Sequence, residues 1–435
     1  MEVKRCYAAP LLARLLERKD ISTVDKGLIH ELVYGVLRWR RRLDWVAESS
    51  SRRPLEDVTS WIRNILRLGL YQLLFTQKIP PSAAVNESVK LAYRYGHRGT
   101  AAFVNAVLRQ VQRCYENISF PDPKKDLIHH MAVFYSHPDW LTRRWVEHYG
   151  WERTIRICLA NNTPPSITIR TNTLLTTRMA LKQALEWEGV NTNECSLAPE
   201  GLRIHSPVPI SRLSALQKGW FLVQDESSIL VGYFLAPHLG DRVLDACAGL
   251  GGKTTHLAQL MRNQGEIQAL DVNSKRLDIL EETCRRLRVN IVRTQVRDVA
   301  ELKEELGKFD AVLVDAPCSG LGVTRRHPEA KWIKQKADLA FLQKHQLRLL
   351  RGVQGCLKPG AVLVYGVCSH EPEEGQDVIR QFLDEYPHFE LEDIRDFLPE
   401  DKTNWENNSK SPYFLSLPSL SHHMDGFFAA RLRRR

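Results

Sequence analysis

After Asp241, short apolar runs alternate with segments of helical spacing, and no other feature of this 435-residue sequence restricts its fold as strongly. The candidate strands cover residues 242–246, 266–270, 291–296, 309–314 and 361–367. Alternation of this kind builds a parallel sheet wound with helices on both faces. A strand buried on both faces reads as an unbroken apolar stretch. The sequence therefore predicts an α/β domain over 236–435, and because open sheets bind ligands beyond the carboxyl ends of their strands, its chemistry is to be sought there.

The run at 309–314 delivers Asp315-Ala316-Pro317-Cys318, an acid and a thiol, to such an end. The run at 242–246 leads into Cys247-Ala248-Gly249-Leu250-Gly251-Gly252-Lys253-Thr254, a glycine-rich turn that opens a helix and lets a ligand approach backbone N–H groups. A phosphate loop of the form Gly-x-x-x-x-Gly-Lys-Thr would need glycine at position 247, which is cysteine. A dinucleotide fingerprint starting at Gly249 would need glycine where Thr254 stands. A nucleoside ligand without a pyrophosphate remains. Asp271 closes the second run, where an acid accepts hydrogen bonds from ribose hydroxyls, and Asp298 follows the third, near where an adenine would lie.

With 43% apolar and 26% charged residues, the chain is of the ordinary globular kind. No apolar run approaches the roughly 20 residues that span a bilayer, and Met1-Glu2-Val3-Lys4-Arg5-Cys6 lacks the layout of a secretory signal, so a cytoplasmic protein with no membrane association is expected. Nine scattered cysteines without a Cys-x-x-Cys pair argue against a disulfide framework and against a metal site. The net charge is +10, and residues 1–115 supply all of it, with 20 Lys and Arg against 10 Asp and Glu. That imbalance is expected of a domain that touches phosphates.

Helical spacing recurs at 25–46, 61–74, 83–92 and 101–111, so residues 1–125 are predicted to be all helix. Pro80-Pro81-Ser82 is read as a helix stop followed by a serine cap. Arg38-Trp39-Arg40-Arg41-Arg42 mixes cations with an aromatic ring, a composition that suits phosphate contact and base stacking. Residues 126–235 read as linker helices, including 140–161, followed by a small α+β unit whose strands fall near 167–172, 202–205 and 219–223. Gln224-Asp225-Glu226-Ser227-Ser228 opens a further helix, 402–411 reads as a surface loop, and Gly426-Phe427-Phe428-Ala429-Ala430 reads as a closing strand.

Four N-terminal motifs, Val33-Tyr34-Gly35-Val36-Leu37-Arg38, Leu68-Gly69-Leu70-Tyr71-Gln72-Leu73, Ser82-Ala83-Ala84-Val85-Asn86-Glu87 and Phe103-Val104-Asn105-Ala106-Val107-Leu108-Arg109, resemble the NusB-like RNA-binding fold. The glycine-rich turn, Asp271, Asp298, Asp315-Ala316-Pro317-Cys318 and Tyr365-Gly366-Val367-Cys368-Ser369 resemble the S-adenosylmethionine-dependent RNA 5-methylcytosine methyltransferases. Arg325-Arg326-His327-Pro328 with Lys331-Trp332, and Met424-Asp425-Gly426-Phe427-Phe428, fit that family too.

The resemblance implies a multidomain chain: a NusB-like helical RNA-binding domain over 1–125, linker helices and a small α+β RNA-binding subdomain over 126–235, and a Rossmann-like methyltransferase domain over 236–435. It implies S-adenosyl-L-methionine held by Cys247, Ala248, Gly249, Leu250, Gly251, Gly252, Lys253, Asp271, Asp298 and Asp315. Cys368 would attack carbon 6 of cytosine, Cys318 would assist release, and Asp315 would hydrogen-bond the base. The implied partner is small-subunit (16S) ribosomal RNA, unassembled or partly assembled, met by a monomer. The same transfer to another RNA such as tRNA, or a non-catalytic assembly factor, are the alternative readings. The chain departs from the family at Gly249-Leu250, where Ala-Pro is usual, and at Val367, where threonine is usual.

Overall fold

The computed structural model describes residues 7–18, 20–51, 53–205, 208–302, 306–399, 411–421 and 423–435. The loop expected over 402–411 lies outside them except for Ser411. The chain packs as two compact units, one of Met1–Pro164 with Thr324–Lys334, the other of Pro165–Val323 with Gln335–Arg435.

The first unit is helical: α1 (Ala8–Leu16), α2 (Thr23–Ser49), α3 (Ser60–Phe75), α4 (Pro81–Tyr95), α5 (Arg98–Cys114), α6 (Leu127–Phe134) and α7 (Asp139–Asn162). Leu43, Val46, Ile62, Leu66, Leu70, Val85, Val104 and Leu108, spaced by threes and fours along α2 to α5, close one core. Ser22 caps α2 by accepting the Asp25 N–H at 3.1 Å. Ser82 is not a cap: α4 starts at Pro81, Pro80 precedes it without a side-chain bond, and proline at the first helical position needs none. Within α7, Gly150 adopts φ of 78°, which kinks the helix that the sequence presents as continuous.

The arginine run also differs from its expected role, because α2 is flanked by packing partners along this stretch. Arg38 is buried. Arg41 pairs with Asp139 at 2.5 Å and donates to the His137 carbonyl at 2.9 Å. Arg42 lies 4.3 Å from the Phe134 ring centroid and donates to the Tyr115 hydroxyl at 2.9 Å. Trp39 stacks on Phe75. Planar guanidinium groups stack on rings and bury their stems, so cations interleaved with aromatics can hold a bundle together as well as face phosphate. An open groove of about 1110 Å³ elsewhere on the unit is lined by Arg53, Arg109 and Arg113 with Ser49, Ser50 and Ser51.

Thr324–Lys334 completes this unit, although the residues flanking it belong to the other. The Lys331 ammonium is fully buried and donates to the Arg38 carbonyl at 3.0 Å and to Asn162 Oδ1 at 3.1 Å. The Trp332 indole donates to the Leu37 carbonyl at 2.7 Å, and Glu329 accepts the Ala8 N–H at 2.8 Å.

The second unit begins with β1 (Ile167–Thr171), α8 (Arg178–Trp187), β2 (Thr192–Glu194), β3 (Gly201–Ile204), α9 (Ser214–Gln217) and β4 (Phe221–Val223). They form an antiparallel sheet of order β2-β3-β1-β4 over a core of Ile169, Leu181, Leu185, Leu202 and Phe221. There follow α10 (Glu226–Leu235), β5 (Arg242–Asp245), α11 (Gly252–Leu260), β6 (Glu266–Asp271), α12 (Ser274–Leu287), β7 (Val292–Val296) and β8 (Phe309–Asp315). After α13 (Ala330–Ile333) in the first unit come α14 (Lys336–Val353), β9 (Leu357–Val367), α15 (Gln376–Glu385), β10 (Phe389–Glu392), β11 (Phe414–Ser416) and β12 (Phe427–Arg434).

The large sheet runs β10-β12-β9-β8-β5-β6-β7, with β11 paired to β12. Strands β5 to β9 are parallel, as the sequence predicts. The sheet is nevertheless mixed, because β12 inserts antiparallel beside β9 and carries β10 and β11. Ala311 and Leu313 point into one core with α10, α11 and α12, while Val312 and Val314 point into the other with α14 and α15. Both faces are therefore covered over β8, which reads as apolar, whereas β7 at the sheet edge is mixed in character and partly exposed.

Candidate active site

Successive strands leave β5 in opposite directions, β6 and β7 to one side and β8 and β9 to the other. The reversal between β5 and β8 leaves a crevice at their carboxyl ends, the place where open α/β sheets take ligands. A cleft of about 580 Å³ occupies it, lined by Cys247, Gly249, Asp271, Asp298, Asp315, Cys318 and Cys368 among others. Residues from four strand ends and the loop after β7 thus meet at one opening.

Two glycines shape the turn after β5. Gly251 has φ of 87°, and a Cβ there would lie 2.0 Å from Leu280 Cδ1, so no larger residue fits. Gly249 has φ of 56° and donates its N–H to Asp271 Oδ2 at 3.0 Å. The other Asp271 oxygen accepts the Asn273 N–H at 2.8 Å. Asp298 caps its own short turn through the Ala300 N–H at 2.9 Å. Ala248 is buried, whereas Leu250, at one of the two departures from the family pattern, is 56% exposed. Lys253 turns toward Asp315, with Nζ 2.5 Å from Oδ2. An open turn of small residues, backbone N–H groups and flanking carboxylates fits a nucleoside that bears a cationic centre and lacks phosphate.

Strands β8 and β9 are parallel neighbours with Asp315 opposite Gly366, so the segments that leave them run side by side. Cys318 and Cys368 meet there, their sulfurs 3.1 Å apart. The hydrogen bond with Cys368, burial, and the charge of Glu374 hold the Cys318 thiol well above its usual range. Burial first, then Asp245 and Asp315, raise Cys247 likewise, so that thiol is an inert wall of the cleft. Val367, the other departure, is fully buried in β9. Among the described residues, eight cysteines are free thiols.

The structure adds Arg276, Arg297, His345 and Leu349 to the cleft wall. Arg297 adjoins Asp298 at the end of β7, whereas Arg276, His345 and Leu349 lie on helices outside the strand-end motifs and carried no signal in the sequence. The Lys253–Asp315 pair was equally hidden, because 62 residues separate its members.

The model of the NusB family matches residues 1–113, that of the ferredoxin-like domain of RsmF/B-like methyltransferases matches 137–211, and that of the 16S rRNA methyltransferases RsmB/F matches 232–433. The probable ribosomal RNA small subunit methyltransferase B of Bacillus subtilis (strain 168) is 35% identical over 440 residues, which cover 100% of this chain and 96% of that protein. The chain belongs to the RsmB/F family of 16S rRNA methyltransferases. The ribosomal RNA small subunit methyltransferase B of Salmonella paratyphi B is 33% identical, with 95% of this chain and 92% of that one covered. The crystal structure of PH0851 superposes with a TM-score of 0.79 at 27% identity, covering 96% of this chain and 92% of that one. The chain is accordingly an S-adenosylmethionine-dependent rRNA methyltransferase, with a NusB helical domain, a ferredoxin-like subdomain and a Rossmann-like catalytic fold. Among the described residues, no helix is long and apolar enough to cross a membrane.

Proposed function

We propose that this chain methylates carbon 5 of a cytosine in small-subunit ribosomal RNA through a covalent cysteine adduct, acting as a monomer in the cytoplasm on RNA not yet fully assembled. The observation that carries the reading is the pair of thiols 3.1 Å apart at adjacent strand ends, with Asp315 on the same cleft. Carbon 5 of cytosine is too weakly nucleophilic to accept a methyl group unaided, and thiolate addition at carbon 6 moves electron density onto it. When bound, S-adenosylmethionine supplies an electrophilic methyl group on its sulfonium.

The residues assigned to hold it are 247–253, Asp271, Asp298 and Asp315, with Asp271 on the ribose. Cys368 is the nucleophile, and in the free protein its sulfur lies 3.1 Å from that of Cys318, within reach of a shared hydrogen bond. Asp315, whose carboxylate pairs with Lys253 in the free protein, hydrogen-bonds the base at N3 through a proton held between them, which stabilises the adduct. In the release step Cys318 gives up its thiol proton to solvent. The Cys318 thiolate then takes the carbon-5 proton, the carbon 6–sulfur bond breaks, and Cys368 leaves as thiolate. The target base must be unstacked, which looped or single-stranded RNA makes inexpensive.

The two cysteines should fail differently. With Cys368→Ala, neither adduct nor methylated RNA forms. With Cys318→Ala, attack and methyl transfer proceed but elimination stalls, so a denaturation-resistant band of protein joined to methylated RNA accumulates on gels. A band with Cys368→Ala and none with Cys318→Ala would reverse the roles, and full activity in both would end the covalent reading.

A further inference from the structure

We infer that Glu374 is a positioning residue that clamps the two cysteine-bearing segments into register, an inference that rests on the roles given to Cys318 and Cys368. Each cysteine is followed by a serine, Ser319 and Ser369. Both serines are fully buried, as is Glu374, which closes the turn Pro372–Glu374 before α15.

One carboxylate binds both segments. Glu374 Oε2 accepts the Ser319 hydroxyl at 2.5 Å and the Ser369 hydroxyl at 2.6 Å. Oε1 accepts the Ser319 N–H at 2.7 Å and Gln346 Nε2 at 3.2 Å. Gln346 also donates to the Pro317 carbonyl at 3.0 Å, so α14 holds the Cys318 segment from its other side. Glu374 is itself anchored, because the buried Tyr365 hydroxyl on β9 donates to its carbonyl at 2.6 Å.

Four donors fill the four acceptor sites of an ionised carboxylate. Burial raises the Glu374 carboxyl above its ordinary range while Ser319, Ser369 and Gln346 hold it down. An unpartnered charge here would be costly, and the chain satisfies it with groups that adjoin the two thiols. Glu374 touches neither sulfur in a hydrogen bond, and its action is to fix the backbone from which each projects. In glutamine one of the two oxygens becomes an NH2 group: facing the two N–H donors it would lose both bonds, and facing the two hydroxyls it would reverse their direction, so the clamp is weakened. Carbon 6 and carbon 5 are adjacent atoms, so the thiols that act on them need a fixed separation, and misplacement by about 1 Å costs on the order of a hundredfold in rate.

The test uses the full chain, deproteinised small-subunit ribosomal RNA and labelled S-adenosylmethionine, with kcat normalised to the moles of S-adenosylmethionine bound per mole of protein. Glu374→Gln should lower normalised kcat about tenfold and Glu374→Ala about a hundredfold. The KM for S-adenosylmethionine should stay within twofold of the parent, since none of the residues assigned to hold it bonds to Glu374. Ser319→Ala and Ser369→Ala, which each remove one donor, should lower kcat severalfold and decide the matter if Glu374→Ala does not fold. Normalised kcat at the parental value in Glu374→Ala, or in both serine variants, would overturn the clamp. So would a loss carried by KM alone. Cys368→Ala assayed in parallel separates the two ideas: activity there would sink the covalent reading, whereas an inactive Cys368→Ala beside a fully active Glu374→Ala would sink only the clamp.

Discussion

Asp245 and Asp271 end neighbouring strands in different surroundings, and each gives a measurable consequence. Asp245 is fully enclosed, accepts the Thr254 hydroxyl at 2.7 Å, and is pushed by burial from 3.8 up to about 6. Between those pH values the folded chain keeps a proton that the unfolded chain has lost, so stability falls as pH rises across this window and does not recover above it. Asp245→Asn, which keeps the acceptor and lacks the charge, should therefore match the parent near pH 4 and exceed it at pH 8 by on the order of 3 kcal/mol. Thermal melts at the two pH values check this, and an equal gap at both would show that another group titrates. Asp271, by contrast, is largely buried yet lines the cleft, and it already holds the Gly249 N–H. Its replacement by alanine should weaken S-adenosylmethionine binding about ten- to a hundredfold in calorimetry with the fold intact, and unchanged affinity would remove it from the assigned set. At this scale the sequence was readable wherever a residue ends an apolar run, as Asp271, Asp315 and Cys368 do. It was unreadable at Glu374, because Glu371-Pro372-Glu373-Glu374 looks like a solvated acidic turn, and only the tertiary fold carries its side chain between two serines.

Elements were legible in proportion to the apolar signal each carried. Strands β5 to β9 and helices α2 to α5 stood out by period. Thr192-Asn193-Glu194 of β2 has no apolar residue at all, β11 is only three residues long, and the alternation of β10 spans only Phe389-Glu390-Leu391-Glu392. The antiparallel setting of β12 is a property of pairing, which no local pattern records. Helix α2 shows the opposite error, a strong pattern with two physical uses, since Arg38, Arg41 and Arg42 serve the bundle. RNA binding by the helical unit is better sought in the groove of Arg53, Arg109 and Arg113. Changing those three to glutamine should weaken RNA binding and flatten its dependence on salt, by about 0.7 to 0.9 in logarithmic slope for each phosphate no longer neutralised. Arg42→Ala should instead lower the melting temperature and leave the slope alone. Binding titrations at several salt concentrations separate the two, and an unchanged slope in the triple variant would exclude the groove.

By element type the sequence divides into three parts, yet by packing the chain forms two units, with Thr324–Lys334 counted in the helical one. That excursion was hidden because Arg325-Arg326-His327-Pro328 reads as a basic surface loop, while burial of Lys331 depends on residues some 170 to 290 positions away, Asn162 and Arg38. Burial pushes the Lys331 ammonium well below its usual range, so its two hydrogen bonds matter more than its charge. Lys331→Met should leave the buried Asn162 Oδ1 without its donor, take a second donor from the mid-helix Arg38 carbonyl, and destabilise the helical unit by about 2 kcal/mol without altering affinity for S-adenosylmethionine. Calorimetric melting with a parallel binding titration tests this, and a melting temperature equal to or above the parent's would show that the bonds contribute nothing. The same excursion bears on inheritance. A genetic exchange that replaced the codons for the first 164 residues would import a helical bundle while retaining, far downstream, the peptide that fills it. A helical unit exchanged by itself would therefore have to accommodate a peptide that it did not arrive with, and the two stretches are expected to change together.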